Sequence, residues 1–454
     1  MSGRYSARQA GFSAGPELDP NPWTSPVTRA AILLVTVFSN GNFNDAIIPG
    51  SETSNLQQYV VIVLWITVAI VSYFRRAVVR IDPAAGFFMG LAPYAIAIVS
   101  VLWSDVPAAS LPKAIAMGLV IFAAFRLVRT MALDEIVESV IHGLFLLNLV
   151  SIFLALFVPG IGLVKDYQHA GQWNGLFASK QTLGVCGALL MFFAAYRLLG
   201  PAPRLYHWAA AVAALACVVG SGSRGGGALA AAAVACLYLA SVSPRFSRAL
   251  AYGPFLMCLI GIALIVYFVQ TGAKSIVVFD TDIDFTQRTF IWQHALGYFR
   301  SAPLLGYGLN GFWTLKDVKD LFIERNGWFL DNYHDGYIAI IMETGVIGLC
   351  AFTAGYFFYG RRISGEIHRS GALDRGVALT LVYTCLIFFI DFTETYFLRS
   401  TNIASTLLTI SLFVGFARAT GLPASDPGQR PVSAQGLPRD VSVARTRLRR
   451  FRAS

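Results

Sequence analysis

The chain has 454 residues, of which 56% are hydrophobic and only 13% charged, and its mean hydropathy is +0.60. Soluble domains carry about a quarter charged residues, so this composition excludes an ordinary soluble enzyme. The formal net charge of +10 sits in arginines beside apolar runs and in the C-terminal segment, which speaks for membrane topology and against nucleic-acid binding.

Residues 1–27 are polar and rich in Pro and Gly, without the compact apolar core and cleavage site of a signal peptide; they read as a retained cytoplasmic tail. Apolar runs then predict spans near 28–48, 57–74, 86–103, 111–128, 137–159, 180–199, 205–222, 225–242, 249–269, 334–359, 374–396 and 400–418. Arginines test this order. Arg4, Arg8 and Arg29 precede the first run, while the connection after it has no Lys or Arg. Arg75, Arg76 and Arg80 follow the second run, and Arg126 and Arg129 end the fourth. Arg197 and Arg204, then Arg245 and Arg248, then Arg361, Arg362, Arg369 and Arg375 fill later alternate connections. Every second connection is basic, which predicts an all-α polytopic protein of about 12 transmembrane helices with both termini cytoplasmic. The transmembrane domain is expected over 28–419, followed by a basic, disordered cytoplasmic tail at 420–454 whose end touches anionic lipid head groups.

One outer connection, 270–333, is far longer than the rest, and long loops are usually functional. Within it, DFTQRTFIWQHALGYFRSAP reads as an amphipathic helix lying on the membrane surface. Asp284 and Gln287 form its expected cap, and Ile291, Ala295, Tyr298 and Phe299 recur at helical spacing. Asp280, Asp282 and Asp284 begin like a calcium loop, but Phe285 stands at the turn glycine and Ile291 at the bidentate glutamate, so an acidic helix start is the better reading. Six cysteines fall in apolar runs without metal-ligand spacing, as small packing residues.

The charge pattern places a set of unusual polar residues on the outer side. Lys180 opens the sixth run in GLFASKQTLG, Arg224 lies in the tight turn VVGSGSRGGGALA, and Arg288 lies in the long connection. His334 opens the tenth run in DNYHDGYIAII, and Asp391, Glu394 and Arg399 surround the last connection. Each has a bland explanation: snorkelling for Lys180 and Arg288, capping with Asp331 or Asp335 for His334. Gly222 and Gly226 read as close helix packing. Arg224 is different, since a guanidinium between two very apolar helices has no packing value, whereas arginine beside glycine-rich backbone binds anions. Asp391 and Glu394 are placed to pair with Arg399 or with a catalytic cation. Cations and one imidazole on the same face point to transfer from a diphosphate: the cations stabilise the leaving group, and the imidazole takes a proton from an attacking hydroxyl.

These stretches, with LWSDVPAAS, QRTFIWQHALGYFRSAPLLGYGLNGF and NYHDGYIAIIMETGVIGL, resemble the O-antigen ligase and polymerase superfamily (Wzy- and WaaL-like) from about Trp103 to the end of the twelfth run. The resemblance implies a GT-C-like membrane glycosyltransferase of the bacterial inner membrane, acting at the periplasmic face without metal or other cofactor. Its implied partners are an undecaprenyl-diphosphate-linked glycan donor, a glycan acceptor and membrane lipids, with a chain-length regulator and a flippase nearby. Carried over by position, Arg224 and Arg288 would bind the diphosphate and His334 would be the base, with Lys180, Tyr333, Asp335, Glu394 and Arg399 around the substrate. The family often has Lys-Asn and His-Asn where this chain has Lys180-Gln181 and His334-Asp335; Asp335 is expected to favour the charged imidazole. The expected activity is polymerisation of lipid-linked repeat units of an exopolysaccharide or O-antigen. Transfer of the finished glycan to lipid A-core or protein is the alternative. A transporter or flippase is the rival of another class, for which repeat symmetry and broken helices near the bilayer midplane are expected.

Overall fold

The computed structural model describes residues 24–419 except 41–42, 44–45, 48–55, 78, 82–84, 166–168, 274, 279–280, 285–287, 328–329, 331 and 371–373. Residues up to Arg418 group as one compact unit; Ala419–Ser454 group as a second, of which only Ala419 is described. Both expected tails therefore lie outside the described residues, apart from 24–27.

Helices dominate: α1 (Thr24–Phe38), α2 (Leu56–Tyr73), α3 (Ala85–Val99), α4 (Pro107–Thr130), α5 (Leu133–Phe157), α6 (Lys180–Leu198), α7 (Leu205–Gly220), α8 (Arg224–Val242) and α9 (Gly253–Thr271). A hairpin of β1 (Ser275–Val278) and β2 (Thr281–Asp284) follows, then α10 (Arg288–Gly297), α11 (Lys316–Asn326), α12 (Gly336–Ser370), α13 (Arg375–Ile390) and α14 (Ile403–Phe416). Among the described residues, six helical segments are able to cross a membrane by length and composition: α4, α5, α6, α8, Pro244–Thr271 and Gly336–Arg369. Shorter apolar helices α1, α2, α3, α7, α13 and α14 stand at the remaining places where hydropathy predicts spans.

The helix ends sort into two groups by their contacts. At one end arginines meet acids and carbonyls. Arg29 pairs with Glu135. Arg197 reaches both Asp134 and Glu138 at 2.9 Å. Arg126 donates to the Ser72 carbonyl at 2.6 Å, closing the C-terminus of α2. Arg375 donates to the Tyr196 carbonyl at 2.7 Å. The arginines that mark topology in the sequence thus also satisfy helix termini and the acidic first turn of α5.

At the other end the connections lean on one another. The N–H of Ile403 donates to Ser39 O at 2.9 Å, and Trp173 N–H donates to Gly220 O at 2.9 Å. Trp103 Nε1 donates to Leu305 O at 3.0 Å, and Leu309 N–H donates to Ser100 Oγ at 2.8 Å.

The expected tenth span is not one continuous helix. Gly345 has φ 66 and ψ −170, and breaks α12 into two pieces. Backbone freed by the break is bonded by the chain segment 303–308. Val346 N–H donates to Pro303 O (2.9 Å) and Ile347 N–H to Leu304 O (3.2 Å), while Tyr307 and Gly308 N–H donate to Met342 O (2.9 Å) and Glu343 O (3.0 Å). Gly345 has no alternative here: its φ is left-handed, and a Cβ would collide with the Leu304 carbonyl. Broken backbone at membrane depth is tolerated only when protein satisfies it, which is what 303–308 does. The apolar piece after the break, residues 346–360, spans about 22 Å at about 1.5 Å per residue, short of a hydrocarbon core of about 30 Å by itself.

The long connection is more structured than its sequence pattern predicts. Asp284 pairs with Ser275 in the β1–β2 hairpin, so the helix starts at Arg288 instead of Asp284; Asp280, Phe285 and Gln287 lie outside the described residues. The apolar face of α10 (Ile291, Trp292, Ala295, Leu296) is buried against protein, contrary to the expected surface-lying helix. Trp292 packs edge-on against Phe268 with centroids 5.3 Å apart. Its indole N–H donates to Tyr333 O at 3.1 Å. An unforeseen helix, α11, adds Val318 and Phe322 to this core.

Candidate functional site

Three of the candidate cations share a structural position. Lys180, Arg224 and Arg288 are the first residues of α6, α8 and α10, and His334 stands two residues before α12. The chain's own capping chemistry puts them there. Ser179 Oγ accepts from Thr182 N–H at 3.2 Å, and Ser223 Oγ accepts from Gly226 N–H at 3.1 Å, fixing where α6 and α8 begin. Helix N-termini present unsatisfied N–H groups and a positive dipole end, so a cation at that position reinforces an anion site.

The glycines between these ends serve close packing. A Cβ on Gly184 would sit 2.8 Å from Ser223 Oγ, and one on Gly226 would sit 2.7 Å from the Gly184 backbone. Gly222 closes the turn at φ 57 against the Gln172 side chain, and Gln172 Oε1 accepts from Lys180 Nζ at 2.5 Å. Lys180 and the Arg224 turn are therefore neighbours through Gln172 and Gly184. The Arg224 side chain is exposed and has no partner among the described residues.

His334 belongs to a second group. The residue adopts a left-handed backbone (φ 49) that a non-glycine residue rarely occupies. Its N–H donates to Asn332 Oδ1 at 3.2 Å, which holds the turn. The connection 391–399 cradles it from the other side. Gly336 N–H donates to Asp391 O at 2.7 Å, and Asp335 N–H donates to Thr395 Oγ1 at 3.2 Å. Gly336 must lack a side chain, because the Asp391 carboxylate fills that space.

Glu394 is the hub. Its Oε1 accepts from Arg288 Nη2 at 3.0 Å, and its Oε2 lies 3.8 Å from His334 Nδ1. Burial would raise the Glu394 carboxyl, but His334 and Arg288 outweigh it and hold it below the usual range. His334 is 32% exposed, yet its Nδ1 is buried without a hydrogen-bond partner. The ring's other nitrogen, Nε2, is the one left open to chemistry.

The remaining candidates resolve differently from their sequence reading. Asp335 caps α12: its Oδ1 accepts from Ile338 N–H at 2.8 Å. Burial pushes its carboxyl up to about 8, so at neutral pH it is largely uncharged and does not act as the anion expected to favour a charged imidazole. A neutral Asp is close in shape and hydrogen-bonding to the asparagine that the resemblance places here. Tyr333 is buried, its ring stacked on Phe312 with centroids 5.8 Å apart. It is a core residue of the long connection in this conformation. Arg399 pairs neither with Asp391 nor with Glu394. It makes a bidentate pair with Glu343, at 3.0 and 2.8 Å, which sequence reading did not single out. Asp391 instead accepts from Tyr396 and Phe397 N–H at 2.7 and 3.2 Å.

No hydrogen bond or ion pair among the described residues joins the Lys180–Arg224 group to the Arg288–Glu394–His334 group.

A family model described as O-antigen ligase (Wzy_C) matches residues 209–353. Over 312 residues the chain is 26% identical to the exopolysaccharide production protein ExoQ of Rhizobium meliloti (strain 1021), covering 64% of this chain and 67% of that one. Both findings support a similarity to the O-antigen ligase/polymerase superfamily. The matched family segment holds Arg224, Arg288, Tyr333, His334, Asp335 and Glu343, and stops before Glu394 and Arg399. The carboxylate at the centre of the His334 group thus comes from outside the matched segment. A search confined to the family motif would miss it.

Proposed function

We propose that this protein polymerises undecaprenyl-diphosphate-linked oligosaccharide repeat units, and that the long connection 270–333 forms one wall of the site at the periplasmic face of the inner membrane. Twelve spans with both termini cytoplasmic accommodate the charge pattern and the two-ended sorting of helix contacts. The transmembrane domain of this reading is 28–419, with cytoplasmic tails at 1–27 and 420–454.

In the reaction, a hydroxyl of the acceptor repeat unit attacks the anomeric carbon of the donor glycan. The bond from that carbon to the diphosphate oxygen breaks, and the electron pair leaves with the lipid diphosphate. His334 Nε2 takes the hydroxyl proton, and Arg288 and Arg224 stabilise the charge developing on the diphosphate. This balances without a redox or metal step.

The observation that carries the reading is the Arg288–Glu394–His334 group: a basic nitrogen held beside an anion-binding guanidinium at the end of the molecule that bears the long connection. Similarity to a protein named for exopolysaccharide production supports a polymer product. The description of the matched family model supports the second reading, a ligase that transfers the finished glycan to lipid A-core or protein. The break at Gly345 is a feature expected of transporters. However, 303–308 fills the break with protein backbone, and the candidate polar residues gather beside the long connection, which argues against a midplane transport site.

The test is to give the purified protein a purified lipid-diphosphate repeat unit and follow product length. A growing ladder supports the polymerase; a single product on an added acceptor supports the ligase. Absence of any transfer overturns both.

A further inference from the structure

Glu394 has one carboxylate and two clients. Arg288 holds it at full hydrogen-bond distance, 3.0 Å, while the buried His334 Nδ1 stands 3.8 Å away with no acceptor. A buried ring nitrogen without a hydrogen-bond partner is costly. The arrangement is therefore poised: if another anion took Arg288, a shift of under an ångström would bring Glu394 onto His334. The other charged groups nearby do not compete for that place. Asp335 is committed to the α12 cap, Asp391 to the Tyr396 and Phe397 N–H groups, and Arg399 and Glu343 to each other.

Resting on the reading that Arg288 binds the donor diphosphate, we propose that Glu394 is a positioning residue that couples donor binding to activation of the base. Diphosphate displaces Glu394 from Arg288; Glu394 then accepts the His334 Nδ1–H, fixing the tautomer in which Nε2 carries the lone pair. The base is thus completed only when a leaving group is in place, which keeps the imidazole from activating hydroxyls at an empty site. This is the carboxylate–histidine logic of acid–base catalysis, here gated by a shared salt bridge.

The test uses the full-length protein in lipid nanodiscs with ring-¹⁵N-labelled histidine, and sugar-free undecaprenyl diphosphate as probe, which binds but does not react. Adding the probe is expected to move the His334 Nδ1 signal to that of a strongly hydrogen-bonded N–H. In Glu394→Gln, which keeps the shape, the probe still binds but the signal stays put. In Arg288→Gln, Glu394 is released, so the bound-type signal is present before any probe is added. Glu394→Asp, one methylene shorter, serves if the Gln variant does not fold; it is expected to bind probe and leave His334 unmoved.

With a glycosylated donor, Glu394→Gln lowers turnover by at least about 10-fold while KM changes less than about threefold. Rescue of His334 movement in Glu394→Gln, or an unmoved His334 signal in wild type that demonstrably binds the probe, overturns the coupling alone. Failure of wild type to bind the probe overturns the proposed donor site and the coupling with it.

Discussion

The molecule contains two groups of the same three residue types, histidine, glutamate and arginine, at opposite ends. At the arginine-rich end His207 is 0% exposed; its Nδ1 accepts the Arg204 N–H at 2.9 Å and its Nε2 lies 3.2 Å from Glu138, which Arg197 also holds. At the other end His334 is partly open, its Nδ1 lies 3.8 Å from Glu394 without a hydrogen bond, and its backbone is strained. Residue type therefore says little about role. What separates the groups is satisfaction: the first has both ring nitrogens engaged and behaves as a clamp between α5, α6 and α7, while the second leaves capacity unused where a substrate would supply it. Buried polar groups are normally paired, so an orphan beside an exposed edge marks function more sharply than a charge does.

Four substitutions test the contrast, two at the histidines and two beside the site. His334→Ala should lower glycan transfer about 10²–10⁴-fold without changing the thermal midpoint. His207→Ala should do the reverse, losing about 1–3 kcal/mol of stability and keeping turnover per folded molecule. If the two behave alike, the distinction between clamp and site fails. Arg399→Ala leaves Glu343, whose side chain is only 2% exposed, without its counter-charge. A loss of about 3–5 kcal/mol is expected, measured by denaturation in detergent. The smallest effect belongs to Asp335→Asn, for which transfer should stay within about twofold, because a neutral carboxyl already caps the helix at pH 7.

Asp335→Asn also carries a pH signature. A carboxyl raised to about 8 in the folded protein binds a proton that the unfolded chain releases near its ordinary value of about 3.9. The fold therefore holds more protons, and its stability falls as pH rises from about 4 through 8. Thermal midpoints of the asparagine variant should lose that part of the slope. An unchanged slope would mean that Asp335 is ionised in the fold.

Local signals were legible and long-range ones were not. Hydropathy placed a helix at each expected apolar run because burial in lipid demands continuous apolar sequence. Arg288 and His334 stood out because a charged or titratable residue near the membrane needs a reason. Glu343 did not, since its partner Arg399 is 56 residues away and an acid inside the apolar stretch IIMETGVIGL gives no hint of what neutralises it. Glu394 was visible as a polar residue, but its choice of Arg288, 106 residues distant, depends on how the last connection folds over the long one. Tyr333 shows the opposite error: adjacency to His334 in sequence implied a shared task, whereas its ring turns into the aromatic core. Nor did Gly345 announce the break, because a glycine inside an apolar run is common, and it is the PLLGYG segment arriving from elsewhere that makes the break tolerable.

That insertion has a consequence for how the protein is made. Residues 303–308 are synthesised before the helix that receives them, so their backbone groups have other partners until Met342–Ile347 follow. The break in α12 is satisfied only once both segments exist and have docked. A finished α12 therefore depends on a piece of chain that precedes it by some forty residues.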